Sequence, residues 1–156
     1  MVTTVVAIRH AKPLSEGYAN DSLRPLSEEG KIIQKNVLER LKAQGIQPTK
    51  LFSSPLLRAR QTAQLVTDLF GIPSEDEPAL GNAFDSKVLL QKLSLAEGDE
   101  TIFLIGHAPT LTDFVNQLVG KAVLPNGMDK SSAAIVAFDG KIEYGRGQFL
   151  HYIKPE

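Results

Sequence analysis

Three apolar runs, each followed by a short break and then by apolar residues at helical spacing, set the rhythm of this chain. Val5-Val6-Ala7-Ile8, preceded by Thr4, has the continuous apolar character of a strand buried on both faces. Lys50-Leu51-Phe52-Ser53 reads as a second, shorter strand, and Thr101-Ile102-Phe103-Leu104-Ile105 as a third. After the second run, Ser54 suits a helix N-cap and Pro55 the first helical position, where no N–H is needed. Leu57, Leu65, Val66 and Leu69 then supply apolar packing positions for that helix. After the third run, Leu111, Phe114, Val115, Leu118 and Val119 fit the i, i+3, i+4, i+7, i+8 template, and Gly120 closes the helix as a C-cap.

The other elements are read in the same way. Ser27-Glu28-Glu29 caps a helix with Ile33, Val37 and Leu41 toward the core and Lys31, Lys35, Glu39 and Lys42 outward. Asp85-Ser86 starts a helix that runs through Val88 to Leu93. Residues 121–130 form a loop broken by Pro125 and Asn126-Gly127. Ser132 to Phe138 is an apolar strand, Asp139-Gly140 a turn, and Gln148 to Ile153 an alternating edge strand. Strands that alternate with helices predict an α/β fold: a three-layer α/β/α sandwich whose central sheet is mostly parallel with an antiparallel edge. At 156 residues, the prior is one domain spanning 1–156.

Chemistry collects where the apolar runs end. The first runs into Arg9-His10, the second is followed by Arg58 in the first helical turn, and the third ends in Gly106-His107. Ligands of open α/β sheets bind outside the carboxyl ends of the strands, so all three junctions are expected on one rim. Arg58 is electrostatically awkward at a helix N-terminus, which is already the positive end of the dipole, and a bound anion would remove the conflict. Helical spacing puts Gln61 and Thr62 on its stripe. Each of these residues alone has an ordinary structural reading; together, two histidines and two arginines on one sheet edge point to a phosphate site.

Composition narrows the chemistry. With no cysteine, Cys-nucleophile catalysis, disulfides and thiolate metal sites are excluded. Three scattered histidines without a helical pair make a zinc site unexpected, and no metal is assigned. A net charge of −1 with mixed signs argues against a nucleic-acid surface. No stretch resembles an export signal or approaches membrane-spanning length, so a cytoplasmic protein is expected. His151, on the last strand, reads as a surface residue without a role, and Gly145-Arg146-Gly147 as a loop rather than a nucleotide motif.

In order and combination, Arg9-His10, the Ser53-Ser54-Pro55-Leu56-Leu57-Arg58-Ala59-Arg60-Gln61-Thr62-Ala63 segment and Gly106-His107 resemble the histidine phosphatase, or phosphoglycerate mutase-like, superfamily. The small size, Asp21-Ser22-Leu23-Arg24-Pro25-Leu26-Ser27 and Ile105-Gly106-His107-Ala108-Pro109-Thr110-Leu111 look most like its short phosphohistidine phosphatases of the SixA type. The resemblance implies that His10 is a nucleophile forming a phosphohistidine intermediate, that Arg9, Arg58 and His107 surround the phosphoryl group, and that Arg24 is an auxiliary phosphate ligand. Phosphoryl transfer is mostly positioning and charge stabilisation, so a nucleophile in a cationic cradle is sufficient machinery and no cofactor is expected.

Family members that hydrolyse phosphate esters use a carboxylic acid to protonate the leaving alkoxide. Here Gly81-Asn82 stand after Leu80, where that carboxylate is expected. Asp85 is a substitute candidate, placed provisionally among substrate-binding residues, though a helix cap is its favoured reading; Glu75, Asp76 and Glu77 read as a solvated loop. A phosphohistidine needs no strong acid, because its imidazole leaves after protonation in the ordinary range of about 6.5. Only residues 14–23 and 75–85 are sizeable irregular stretches before His107, so an open pocket is expected. The sequence therefore favours a phosphorylated protein as substrate. The alternatives are a phosphatase for a small phosphate ester and a non-catalytic module that binds phosphorylated partners.

Overall fold

The computed structural model describes all 156 residues. The run of apolar residues at the N-terminus forms β1 (Val2–Arg9), and its alternate side chains serve opposite faces of the sheet. Val5 and Ala7 join one core cluster, Val6 and Ile8 the other. β2 (Lys50–Ser53) and β4 (Thr101–Gly106) behave likewise, with Phe52, Ile102 and Leu104 on the first face and Leu51, Phe103 and Ile105 on the second. Burial on both faces explains why these strands read as continuous apolar runs.

Two further strands continue the sheet beyond β1: β5 (Ala133–Asp139) and β6 (Gln148–Ile153). A two-residue strand, β3 (Glu75–Asp76), completes it at the opposite edge. The order is β3-β2-β4-β1-β5-β6. Pairings among β1, β2, β3 and β4 are parallel, and β5 and β6 add antiparallel partners on one side. Helices α1 (Glu28–Ala43) and α2 (Leu57–Phe70) cover one face through Val37, Leu38, Leu41, Ala59, Ala63 and Val66. Helices α3 (Ser86–Ser94) and α4 (Thr110–Val119) cover the other through Leu89, Leu93, Leu111, Phe114, Val115 and Leu118. The result is the expected three-layer sandwich with an antiparallel edge. No helix is long and apolar enough to cross a membrane.

Local departures from the sequence reading have physical causes. The buried stripe of α1 is Gln34, Val37, Leu38 and Leu41, with Ile33 only half-buried. Inside, the Gln34 Nε2 donates to the Ser131 carbonyl at 3.5 Å, while its Oε1 is buried without a partner. Glu77, read as solvated, is buried: its carboxylate accepts from Lys92 Nζ at 2.8 Å and from the Ala79 N–H at 2.9 Å. Burial raises its pKa, while the Lys92 and Ala79 hydrogen bonds more than reverse this and hold it below the usual range. Residues 21–23 and 78–80 form single 3₁₀ turns within segments read as irregular.

The start of α1 is packed closely against the segment that follows β1. Ser27 accepts from the Gly30 N–H at 3.0 Å and donates to the Lys12 carbonyl at 2.9 Å, tying the helix to the segment after β1. A Cβ at position 30 would run into the Lys12 carbonyl oxygen, so only glycine allows this approach.

Candidate active site

The strand ends bring the chemistry together. Arg9 closes β1 opposite Gly106 of β4, and the His10 N–H donates to the Gly106 carbonyl at 3.0 Å. On the other side, the Ser54 N–H extends the β2–β4 ladder to the Ile105 carbonyl at 3.0 Å. His10, Arg58 and His107, which start from three separate junctions, line one cavity of about 510 Å³ together with Arg9 and Arg24. The rim expected from the sequence is thus a single site.

His10 is buried, 5% exposed, and its Nδ1 lies 2.7 Å from the Ala11 carbonyl oxygen. A carbonyl only accepts, so Nδ1 carries the proton and Nε2 retains its lone pair. The histidine pKa is pushed down to about 3, first by burial and then by His107, Arg58 and Arg9, against the Ala11 hydrogen bond. At neutral pH the ring is therefore an uncharged base with one committed nitrogen. The cations contribute to that state, but desolvation contributes most.

His107 stands beside it, with ring centroids 5.0 Å apart and planes tilted by 56°. Its Nε2 is 2.7 Å from Ser54 Oγ, and burial followed by Arg58 and Arg9 pushes its pKa down to about 4. Ser54 is thereby reassigned. It does not cap α2, which begins at Leu57 with Leu56 at the N-cap and no side-chain cap. Its hydroxyl instead accepts from the Leu56 N–H at 3.3 Å and engages His107, so the turn before the helix is spent on orienting a histidine.

The guanidiniums are held differently. Arg9 Nη1 donates to the Met128 carbonyl at 2.8 Å, and its Nε is buried without a partner. Arg58 donates to the Asp21 carbonyl at 2.9 Å and to the Asp21 carboxylate at 3.2 Å. Asp21 thus supplies the negative charge that the first turn of α2 lacked. Arg24 is half-buried, with Nε on the Leu14 carbonyl and its guanidinium 5.5 Å from the Tyr18 ring centre, and it reaches the cavity mouth.

Neighbouring hydroxyls and turns lock these positions. The Thr62 hydroxyl accepts from the Ala11 N–H at 3.1 Å and donates to the Arg58 carbonyl at 2.8 Å, joining α2 to the segment after His10. Gln61, on the same stripe, accepts from the Leu26 N–H at 2.7 Å. Buried Ser131, at a φ of 69°, donates its N–H to the Arg9 carbonyl at 3.0 Å.

Asp85 is placed elsewhere. Its Oδ1 accepts from the N–H groups of Lys87 and Val88 at 3.0 and 3.3 Å, which makes it the N-cap of α3, and it is absent from the cavity lining. At position 81, an added Cβ would meet Pro55 Cδ at 3.0 Å and Ser54 Oγ at 3.3 Å. A side chain there would press on the residue that orients His107. The cavity lining contains no carboxylate at all.

Four residues escaped the sequence reading. Asp21 and Ser54 lay inside recognised segments, yet their partners are distant in sequence. Asn82 and Lys130 line the mouth from loops, for which hydrophobic periodicity carries no signal.

Comparison with known proteins agrees with this geometry. Residues 5–84, about half of the chain, match the model of the histidine phosphatase superfamily (branch 1). The phosphohistidine phosphatase SixA of Escherichia coli is 31% identical over 97% of this chain and 93% of its own. A structure of the protein histidine phosphatase SixA complexed with tungstate superposes with a TM-score of 0.85 at 29% identity, covering 97% of both chains. A mycobacterial glucosyl-3-phosphoglycerate phosphatase shares the fold, with a TM-score of 0.76 at 18% identity over 98% of this chain and 99% of its own. A neutral histidine at a strand end among guanidiniums, matched in sequence and fold, makes this chain a member of the histidine phosphatase superfamily and a histidine-nucleophile phosphatase.

Proposed function

We propose that residues 1–156 form one domain that removes the phosphoryl group from phosphohistidine on a protein partner, with His10 as nucleophile. The observation that carries this reading is the cavity lining: arginines, a lysine and neutral histidines, and no carboxylate. A substrate whose leaving group needs a strong general acid is poorly served there, whereas an imidazole that takes its proton from solvent is not.

His10 Nε2 attacks phosphorus in line, the substrate N–P bond breaks, and its electron pair remains on the departing imidazole, which leaves protonated. The phosphoryl group is then on His10. Water attacks the same phosphorus from the side vacated by the leaving group, the His10 N–P bond breaks, and inorganic phosphate is released. Through both steps Arg9 and Arg58 neutralise the equatorial oxygens, their planar forks suiting a phosphoryl group. Neutral His107 donates a hydrogen bond to the same group, and Arg24 assists from the mouth. The Nδ1–H bond to the Ala11 carbonyl keeps the attacking nitrogen unprotonated.

The test is phosphate release from a phosphohistidine-bearing phosphotransfer domain and, in parallel, from a panel of phosphate esters, using wild type and His10→Ala. Release from phosphohistidine that falls by at least about 10⁴-fold in the variant is expected, with phosphate binding retained. Preferential release from esters would overturn the phosphohistidine assignment. Phosphate binding without turnover on either substrate would leave a binding module.

A further inference from the structure

Not every cation that lines the cavity is paired within the molecule. These cations are Arg9, Arg24, Arg58 and Lys130, and the one carboxylate hydrogen-bonded to any of them is Asp21, on Arg58. Asp129 acts on Arg9 from nearby, and a transferring phosphoryl group brings at most about two negative charges. Arg24 and Lys130, at the mouth, have no carboxylate bonded to them.

Lys130 is the cation that the molecule does not employ internally. Arg9 is anchored on Met128, Arg24 on Leu14 and Tyr18, and Arg58 on Asp21. Nearby Lys12 is paired with Glu29 at 2.9 Å. The Lys130 ammonium makes no hydrogen bond or ion pair, although its backbone is fixed on both sides. The Asp129 N–H donates to the Tyr152 hydroxyl at 2.8 Å, and the Ser131 N–H is on the Arg9 carbonyl. Adjacent Asp129 makes no ion pair with it; its carboxylate accepts from the Tyr152 hydroxyl at 3.4 Å and acts on Arg9. Burial and the charges of Arg9, Arg24 and Lys12 lower the Lys130 pKa, so the ammonium is held in a repulsive field. A pinned backbone thus presents a repelled, unpaired cation at the pocket mouth, placed to meet an anionic group on a docking partner.

We propose that Lys130 pairs with a carboxylate side chain on the partner protein, next to the phosphohistidine, and so selects phosphohistidines in acidic surroundings. The inference rests on the phosphohistidine reading above and names the kind of partner surface it accepts. A carboxylate fits better than a second phosphoryl oxygen: Arg9 and Arg58 lie on strand and helix ends beside the two histidines, while Lys130 enters from a loop at the mouth with a long, flexible stem. A rim charge of this kind acts mainly on encounter and salt dependence.

The test compares kcat/KM on a phosphohistidine-bearing photransfer domain rich in surface carboxylates with kcat/KM on phosphoramidate, for wild type, Lys130→Met and Lys130→Glu at two salt concentrations. The ratio of protein to small-substrate kcat/KM is expected to fall about threefold in Lys130→Met and about tenfold in Lys130→Glu, with a flatter salt dependence on the protein substrate. Equal losses on both substrates would overturn the inference by assigning Lys130 to the phosphoryl group, and an unchanged ratio with undiminished activity would overturn it outright. A wild-type enzyme that ignores the phosphoprotein but turns over esters would fail the underlying reading instead, and needs no variant to reveal it.

Discussion

The inner wall and the outer rim of the cavity share one task and are built by different means. Arg9, His10 and His107 stand at strand ends, where parallel pairing fixes the backbone; His10 is buried and the other two are half-buried. Each has one polar atom bound to a main-chain carbonyl or to a buried serine. Arg24, Asn82 and Lys130 come from loops, and the rim residues Asp21 and Lys130 are exposed. On the proposed function, the inner wall acts through preorganised geometry partly removed from water, where each charge is worth more, and the rim through screened charge, where each is worth less. Arg58 lies between the two, with its backbone in α2 and its guanidinium held by a rim residue.

The largest effect short of losing the nucleophile is expected from Arg58→Ala. If Arg58 belongs functionally to the inner wall, kcat on phosphohistidine falls about 10²- to 10³-fold, as when one donor to a developing anionic charge is removed. A loss below about fivefold in steady-state assays would move it to the rim and break the comparison.

Acid should separate the regions next. His10 and His107 have folded pKa values of about 3 and about 4, below their ordinary 6.5. As pH falls through 6.5, the unfolded chain binds these protons and the native state does not, so stability is complete above that pH and is lost progressively toward 4 and then 3. Between pH 6.5 and 5, before most carboxylates titrate, His10 alone is expected to remove about 2 kcal/mol. His107, being more exposed, removes less. Urea midpoints should fall across this window in wild type and markedly less in His10→Gln. A wild-type midpoint that is flat there would mean the imidazole is not held dry.

The same division decides what could be read from the chain alone. β1, β2, β4 and α4 were legible because burial on both faces, or along one helical stripe, leaves a regular apolar pattern; β2 matched to the residue. The placement of Arg9, His10 and His107 on one sheet edge was legible because a residue at or directly after the end of such a run has little choice of position, and that of Arg58 because a helix start follows closely on β2. β3 was not, since two exposed residues pair only because β2 lies alongside them. The Glu77–Lys92 pair spans 15 residues and joins a turn to α3, a contact that no local pattern encodes. Asp85 offered both an acid and a cap, and the structure makes it the cap, its carboxylate accepting from the first N–H groups of α3, which a helix leaves without intrahelical partners. Ser54 offered a cap and took a histidine instead.

Asp21→Asn is the smallest and most discriminating change. Its carboxylate is 67% exposed and lies 3.2 Å from Arg58 Nη2, so the ion pair is worth at most about 1 kcal/mol of stability. The main-chain carbonyl of Asp21, also bound to Arg58, survives the substitution and keeps the guanidinium in place. What the variant removes is a negative charge that competes with the phosphoryl group for Arg58 and repels it at the mouth. If Asp21 is a rim residue, KM for the phosphorylated substrate should fall about twofold in Asp21→Asn, with kcat nearly constant and the difference shrinking as salt is added. A tenfold fall in kcat would show that the carboxylate sets the guanidinium angle. The inner wall would then extend through Arg58 to a residue on an exposed 3₁₀ turn, and preorganisation at this site would not stop where the sheet does.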